Sequence, residues 1–361
     1  MSSGILRFVP EHILQMEAYV PGLQPADPAI IKLNTNENPF PPLPAVISAV
    51  NAAATKLHLY PEPSSRPLRE SLSSHYGLKA DSFLIGNGSD EILSLLFRLL
   101  LSTGQRCLSS DPAYSLYPVL AAMQNAQIES IPVQSDWSLD LEAMAAKARE
   151  GLQFLILTHP NAPTGLLEKR EDLCRLLENV SCPVILDEAY MDFAPAGHSF
   201  VQDAGTTFPH LIVVRTFSKS ASLAGMRTGW CVAHPDLIAQ LHKIRDSYNV
   251  SLIAQAAAMA ILQEDRANQE RIVTICTLRD AFARSLAEMG CTVLPSATNF
   301  VFVKPPEGHT ARSVYETLLS RHILVRHFDR PGLRDFLRIT IGSGGAMEKV
   351  EQVLREVFSH G

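Results

Sequence analysis

Two segments of the chain place a reactive side chain shortly after an apolar run. Lys219 follows Leu211–Val214 in LIVVRTFSKSASLAG, and Asp187 follows Val184–Leu186 in CPVILDEAY. A lysine at a desolvated cleft has a lowered pKa and can attack a carbonyl carbon as a free amine. A buried carboxylate needs a partner, and a protonated ring nitrogen would satisfy it. The pair indicates amine–carbonyl chemistry on a nitrogen heterocycle; the alternatives are a solvated lysine and an aspartate that caps a loop or helix.

A glycine-containing turn predicts an anion site. In FLIGNGSDEILSLLF an apolar strand runs into Gly86 and Gly88, and Ser89 or Asp90 begins a helix. The free N–H groups at a helix N-terminus attract anions. Glu91 replaces the third glycine of the dinucleotide-binding pattern, so a dinucleotide is not indicated. An ordinary strand-to-helix turn is the alternative.

Three arginines and one asparagine stand where a ligand could use them. Arg227 lies in LAGMRTGW, Arg326 in ILVRHF and Arg338 in FLRITIG. An arginine within apolar sequence needs an anionic partner, either a substrate carboxylate or phosphate or an internal salt bridge. Asn161, in HPNAPTG, could donate to a ring oxygen or could belong to a simple Pro/Asn turn.

Three tyrosines could contact a planar ligand. Tyr190 lies three residues beyond Asp187 and could reach a ring oxygen, while Tyr114 could stack on a ring face. Tyr60 stands in the irregular segment LYPEPSSRPLR, which favours an exposed hydroxyl. Aromatic side chains are more often core residues, so position alone leaves both interpretations open.

The elements that must position these residues alternate between short apolar strands and helices from about residue 80 to 235. The predicted strands are Phe83–Ile85, Arg106–Ser109, Gln127–Val133, Gln153–Thr158, Val184–Leu186, Leu211–Val214 and Gly229–Ala233. Helices are predicted at 45–56, Glu91–Leu101, Tyr114–Met123, Leu141–Arg149 and Lys169–Glu178. This alternation predicts an α/β fold, with a mostly parallel sheet covered by helices on both faces. Ligands of such sheets bind beyond the C-terminal ends of the strands.

Composition changes along the chain predict three parts. Residues 1–45 are rich in Pro and Asn and are predicted to form an irregular arm that joins a smaller domain. Residues 46–250 are predicted to form a large domain that binds the cofactor. Residues 251–361 begin with helical sequence and then alternate again, which predicts a smaller α+β domain.

Overall composition narrows the class of protein. The chain has 361 residues, of which 46% are hydrophobic, and a formal net charge of −6. These values are typical of a globular protein and argue against a nucleic-acid partner. Apolar stretches are shorter than the ~20 residues of a membrane span, and the N-terminus lacks a signal-peptide pattern. Six cysteines without a C-x-x-C pair favour reduced thiols, so we expect a cytoplasmic protein without a metal site.

In their order along the chain, these segments resemble the fold-type I pyridoxal-phosphate-dependent aminotransferases. The resemblance covers essentially the whole chain. The motifs that carry it are LNTNENPFPP (33–42), YPEPSSRPLR (60–69), GNGSDE (86–91), DPAYSLY (111–117), HPNAPTG (159–165), ILDEAY (185–190), RTFSKSASLAGMRTGW (215–230), TNFVFV (298–303) and FLRITIG (336–342).

The resemblance implies pyridoxal 5'-phosphate as cofactor and assigns roles around its ring. Lys219 would hold the cofactor as a Schiff base and then move the proton of the substrate α-carbon. Asp187 would pair with the pyridinium nitrogen, and Tyr190 would act with Asn161 at the phenolic oxygen of the ring. Tyr114 would stack on the ring face.

The same resemblance assigns the cofactor phosphate and the oligomer. The backbone N–H groups of Ser89 and Asp90, together with Ser218 and Arg227, would bind the phosphate. Tyr60 would reach the phosphate bound by the neighbouring subunit. The resemblance therefore implies a homodimer with shared active sites.

Within the family, the motifs imply transamination of histidinol phosphate with 2-oxoglutarate, giving imidazole acetol phosphate and glutamate in histidine biosynthesis. Arg338 would bind the α-carboxylate of glutamate, and Arg326, Tyr19 and Asn36 would help to recognise the substrate. The alternatives are an aromatic or broad-specificity aminotransferase, a threonine-phosphate decarboxylase, and a non-catalytic ligand-binding module. The segment after Lys219 departs from the family, since residues 220–223 read Ser-Ala-Ser-Leu where Ala-Phe-Gly-Leu is frequent.

Overall fold

The computed structural model describes residues 4–359. Its strands are β1 (Ile31–Lys32), β2 (Phe83–Gly86), β3 (Arg106–Asp111), β4 (Gln127–Pro132), β5 (Leu155–Thr158), β6 (Val184–Asp187), β7 (Leu211–Thr216), β8 (Gly229–Val232), β9 (Thr292–Val293), β10 (Phe300–Lys304), β11 (Ile323–Leu324), β12 (Arg326–His327) and β13 (Leu337–Thr340). The α-helices are α1 (Glu11–Gln15), α2 (Pro44–Ala54), α3 (Arg66–Tyr76), α4 (Ser89–Leu100), α5 (Leu116–Met123), α6 (Leu141–Ala148), α7 (Arg170–Asn179), α8 (Pro235–Ile244), α9 (Leu252–Gln263), α10 (Asp265–Glu288), α11 (Ala311–Ser320) and α12 (Gly344–Ser359).

Seven strands form the larger sheet in the order β2-β8-β7-β6-β5-β3-β4. All seven were predicted from the sequence within a few residues. Strands β3 to β7 pair in parallel, so their C-terminal ends meet at one edge. Strand β8 is antiparallel to both of its neighbours, which differs from a fully parallel sheet. The connection 217–228 contains only one short 3-10 turn, whereas a parallel return needs a crossover along the sheet.

Both faces of the larger sheet are covered, and its central strands β5, β6 and β7 are buried on both sides. In β6, Val184 and Leu186 pack into one hydrophobic cluster and Ile185 into another on the opposite face. Leu72 of α3 and Ala257 of α9 belong to the first cluster. Helices α4, α5 and α8 contribute to the second. The near-continuous apolar sequence of the central strands β5, β6 and β7 is the cause of this two-sided packing.

A second, four-stranded antiparallel sheet has the order β12-β13-β10-β9. Helices α10, α11 and α12 share its hydrophobic cluster. The N-terminal segment contains α1 and joins this part of the chain through β1, where Ile31 pairs with Ile323 of β11. The predicted domain boundary at residue 250 precedes α9, whose buried side chains pack with the cluster of the larger sheet.

Among residues 4–359, no helix combines the length and the apolar character that crossing a membrane requires.

Candidate active site

A cavity of about 790 Å³ lies at the C-terminal edge of β5, β6 and β7, between the larger sheet and strands β12 and β13. Twelve of the fourteen predicted site residues line it: Tyr19, Asn36, Ser89, Asp90, Tyr114, Asp187, Tyr190, Ser218, Lys219, Arg227, Arg326 and Arg338. The fold therefore brings together residues that are up to 319 positions apart, 338 minus 19.

Lys219 is held by the N-terminal segment as well as by its own loop. Its Nζ donates a 3.0 Å hydrogen bond to the Thr35 carbonyl oxygen. The Asn38 side-chain amide donates to the carbonyl oxygens of Lys219 and Ser220, each at 3.0 Å. The lysine Nζ lies 5.9 Å from the centre of the Tyr190 ring. Backbone and amine are thus both fixed at the wall of the cavity.

Asp187 ends β6 as a buried carboxylate, with 3% of the residue exposed. Burial raises its pKa to about 6, although hydrogen bonds from the Tyr117 hydroxyl (2.9 Å) and the Ala189 N–H (3.2 Å) favour the charged form. Within residues 4–359 no ion pair involves Asp187. A buried acid that lines a cavity and has no ion-pair partner among residues 4–359 suits a protonated ring nitrogen.

Tyr117 is a site residue that the sequence reasoning missed. It is fully buried in α5, and its hydroxyl also lies 2.8 Å from the Thr158 Oγ1. Its only hydroxyl proton is donated to Asp187, so the Thr158 hydroxyl donates to Tyr117. The one available signal was a polar hydroxyl within the otherwise apolar helix LYPVLAAM.

An anion cup forms where α4 begins. The first N–H groups of a helix have no carbonyl partner within the helix, and here they open at Ser89 and Asp90. The Arg227 Nη1 donates to the Ser218 Oγ at 3.4 Å, and the Arg227 Nη2 lies 3.0 Å from the Asp90 carboxylate. The backbone N–H groups at the start of α4, the Ser218 hydroxyl and the Arg227 guanidinium therefore lie close together. Phosphate groups bind to donors of these kinds.

Two glycines allow this close approach. Gly88 has a positive φ of 85°, and a Cβ there would lie 2.6 Å from the Arg227 Nη2. A Cβ on Gly229 would lie 2.5 Å from the backbone nitrogen of Ser89. Larger residues at either position would fill the cup or push β8 away from the start of α4.

Two unpaired arginines form the opposite wall of the cavity. Arg326 of β12 and Arg338 of β13 are directly opposite partners in the antiparallel register. The Arg338 Nη2 donates to the Asn34 carbonyl oxygen at 3.0 Å, and burial lowers its pKa with Arg326 nearby. Within the described residues neither arginine has a carboxylate partner. Like charges placed directly opposite are destabilising, so this pair fits an anionic ligand.

Four of the predicted site residues contact one another in pairs at the cavity wall. The Asn36 side-chain amide donates to the Tyr190 hydroxyl at 2.9 Å. The Tyr19 ring meets the Tyr114 ring edge-on, with centres 6.0 Å apart. Residues 17–20 of the N-terminal segment also line the cavity.

Asn161 and Tyr60 lie outside the cavity lining. Asn161 is buried and its amide donates to the Pro112 carbonyl oxygen at 3.4 Å, while its neighbours Ala162 and Pro163 line the cavity. Among the residues that the structure describes, its side-chain oxygen has no hydrogen-bond partner. Tyr60 is 80% exposed and its ring stacks on Tyr248 at 4.6 Å. The proposed role of Tyr60 at a partner's site stays a prediction.

A buried ionic network supports the loop of the lysine. The Arg215 Nη1 lies 2.9 Å from the Glu188 carboxylate, and its Nη2 pairs with Asp192. Asp192 also accepts a hydrogen bond from Ser220, the residue after Lys219. Burial raises the pKa of Glu188, and the Arg215 charge opposes that shift. The network ties the turn after β6 to the turn after β7.

The groups at this edge of the sheet fit pyridoxal phosphate. The aldehyde needs a lysine, the ring nitrogen needs an acid, and the phosphate needs an anion site such as the start of α4. A family model described as aminotransferase class I and II matches residues 28–357, and the chain belongs to this family.

Individual relatives give a finer likeness. The chain is 42% identical to the histidinol-phosphate aminotransferase of Geotalea uraniireducens over 349 residues, which are 96% of this chain and 98% of that protein. It is 37% identical to the histidinol-phosphate aminotransferase 1 of Bradyrhizobium diazoefficiens over 359 residues, 98% and 99% of the two chains. The solved structure of the Sinorhizobium meliloti histidinol-phosphate aminotransferase, in complex with pyridoxal-5'-phosphate, has a TM-score of 0.86 at 29% identity and covers 91% of each chain.

Proposed function

We propose that the protein is a pyridoxal-phosphate-dependent transaminase that interconverts histidinol phosphate and 2-oxoglutarate with imidazole acetol phosphate and glutamate, in histidine biosynthesis. The relatives with that activity in their names support the reaction. The observation that carries the substrate class is the unpaired Arg326–Arg338 pair in the wall of the cavity.

The residues of this chain divide the work. When bound, the cofactor supplies an electron sink for negative charge at the substrate α-carbon. The Lys219 Nζ holds the cofactor and carries the α-proton. The Asp187 carboxylate keeps the ring nitrogen protonated. The Tyr190 hydroxyl, oriented by Asn36, donates to the ring oxygen, and the cup at Ser89 binds the phosphate.

One cavity must accept two amino donors with different anions. Glutamate carries an α-carboxylate and a γ-carboxylate, whereas histidinol phosphate carries a phosphate ester and no carboxylate. Arg338 is fixed by the Asn34 carbonyl oxygen and is suited to a carboxylate held by two parallel hydrogen bonds. Arg326 adds the second positive charge that a phosphate dianion needs.

The active form that we propose is a homodimer in the cytoplasm. Leu57, Leu59 and Tyr60 are exposed, and the Tyr60 ring stacks on Tyr248. Exposed apolar surface of this kind is typical of an interface. A dimer that covers this surface would place Tyr60 at the site of its partner. All six cysteines are free thiols, which suits a reducing compartment.

A half-reaction screen tests the proposal. The purified protein loaded with pyridoxal phosphate is mixed with histidinol phosphate, glutamate, phenylalanine or tyrosine, and the absorbance band of the lysine-bound cofactor is followed. We expect histidinol phosphate and glutamate to discharge the band. Lys219→Ala should lack the band and the reaction, while the exposed Lys243→Ala serves as the matched control.

Three outcomes would contradict it. An aromatic amino acid that reacts far better than histidinol phosphate would indicate the aromatic aminotransferase. Release of CO₂ from threonine phosphate would indicate the decarboxylase. A Lys219→Ala protein that transaminates at the wild-type rate would exclude the mechanism itself.

A further inference from the structure

The ring of Phe328 lies against both arginines of the cavity wall. Its centre is 5.4 Å from the Arg326 Cζ and 5.6 Å from the Arg338 Cζ. Phe328 follows β12 directly and lines the cavity. A guanidinium within about 6 Å of an aromatic face is attracted by the ring quadrupole. Both guanidinium groups therefore contact the same aromatic ring.

An aromatic cluster fixes the Phe328 ring. Its centre lies 6.3 Å from the Phe302 ring, and Phe302 stacks in parallel on Phe336 at 4.7 Å. The Trp137 ring meets both of these phenylalanines edge-on. Phe302 is in β10 of the smaller sheet, so the position of Phe328 is set by the core of that sheet.

The two arginines differ in how they are held. Arg338 has the hydrogen bond to the Asn34 carbonyl oxygen and a second ring contact, 5.2 Å from the centre of Phe300. Within the described residues, the guanidinium of Arg326 makes no hydrogen bond or ion pair, so the ring of Phe328 is the contact that places it. Removing the ring should release Arg326 much more than Arg338.

We propose that Phe328 is a specificity-determining residue for the amino donor: its ring holds Arg326 beside Arg338, so that the cavity has a second anion subsite for a phosphate ester. This inference rests on the proposed transamination of histidinol phosphate. Glutamate presents two singly charged carboxylates, and its α-carboxylate is assigned to Arg338. It therefore depends less on the ring than a phosphate dianion, which needs both arginines at one group. Phe328 therefore acts on the choice between the two donors.

The test is Phe328→Leu, which keeps apolar bulk and removes the aromatic face. We expect the KM for histidinol phosphate to rise about fivefold, near the ~1 kcal/mol of such a contact at ~1.4 kcal/mol per factor of ten. The KM for glutamate and both kcat values should change by less than about twofold. The reason is that the ring affects only the binding of the phosphate group of histidinol phosphate by Arg326. Phe328→Tyr keeps the aromatic face and should restore the wild-type ratio of the two KM values.

Phe336→Leu is the matched control, because it loosens the same aromatic cluster without touching either arginine. It should lower the thermal unfolding midpoint about as much as Phe328→Leu does and leave the KM ratio unchanged. An equal rise in both KM values, no rise in either, or the same ratio change in Phe336→Leu would each overturn the inference. A wild-type protein that fails to transaminate histidinol phosphate would instead overturn the proposed function.

Discussion

The Tyr117 hydroxyl donates a 2.9 Å hydrogen bond to the carboxylate of Asp187, and both residues are buried. The two lie 70 positions apart in the chain. This bond orients the carboxylate at the end of β6 and favours its charged form. Tyr117 is therefore a positioning residue for the group that we assign to the ring nitrogen.

Tyr117→Phe should lower kcat about tenfold, since a hydrogen bond to a charged group contributes roughly 1.5 kcal/mol. The KM for glutamate should change little, because the substrate arginines are untouched. Steady-state kinetics with glutamate measure this split. Tyr76→Phe is the control, because Tyr76 is a partly buried tyrosine that lines a different cavity. A variant with wild-type kcat would show that Asp187 needs no support from Tyr117.

Asp187→Asn should change how stability depends on pH in the cofactor-free protein. The folded-state pKa of Asp187 is raised to about 6, above the ~4 of an unfolded chain. The folded state then binds the proton more tightly, so this group removes stability as pH rises from about 4 to about 6. Through this group, the free energy of unfolding falls by at most about 1.4 kcal/mol per pH unit. Asp187→Asn should not show this fall.

Urea unfolding of both cofactor-free proteins at several pH values between 4 and 7.5 measures this difference. The free energy of unfolding of the wild type should fall relative to the variant up to about pH 6 and then run parallel to it. Curves that stay parallel over the whole range would show that Asp187 ionises with an ordinary pKa. The variant should also lack transaminase activity.

Arg215→Met should destabilise the protein by about 3–5 kcal/mol, because it leaves the buried carboxylate of Glu188 without its cation. Chemical unfolding of the cofactor-free protein measures the loss. Arg66→Met, which breaks the exposed pair with Glu70, is the control and should have no measurable effect. Equal stability of the two variants would contradict a structural role for the network.

Mixing two inactive variants tests whether sites are shared. Each site is proposed to need its own Lys219 and the partner's Tyr60. A dimer of one Lys219→Ala chain and one Tyr60→Ala chain would then contain one intact site, and random mixing should restore about a quarter of wild-type activity. The two variants alone are the controls. Mixed dimers without recovered activity would contradict the proposal that Tyr60 contributes to the active site of the partner subunit.

Much of the fold followed from local patterns. The apolar runs of β2 to β8 predicted all seven strands of the larger sheet, and the glycines of GNGSDE predicted the anion cup at α4. The direction of β8 did not follow, because it depends on the short path of residues 217–228 and not on the sequence of the strand. The amide of Asn161 donates to the Pro112 carbonyl oxygen, which its position after a strand did not indicate, and its predicted contact with a ring oxygen stays a prediction.

The sequence by itself determined which residue types stand at strand ends and helix starts, because periodicity and turn chemistry act over a few neighbours. That was enough to indicate Lys219 and Asp187. Only the tertiary structure decided that Tyr117 supports Asp187 and that Arg326 stands opposite Arg338 with Phe328 against both. Such contacts depend on strand register and on the packing of distant segments, which no local pattern contains.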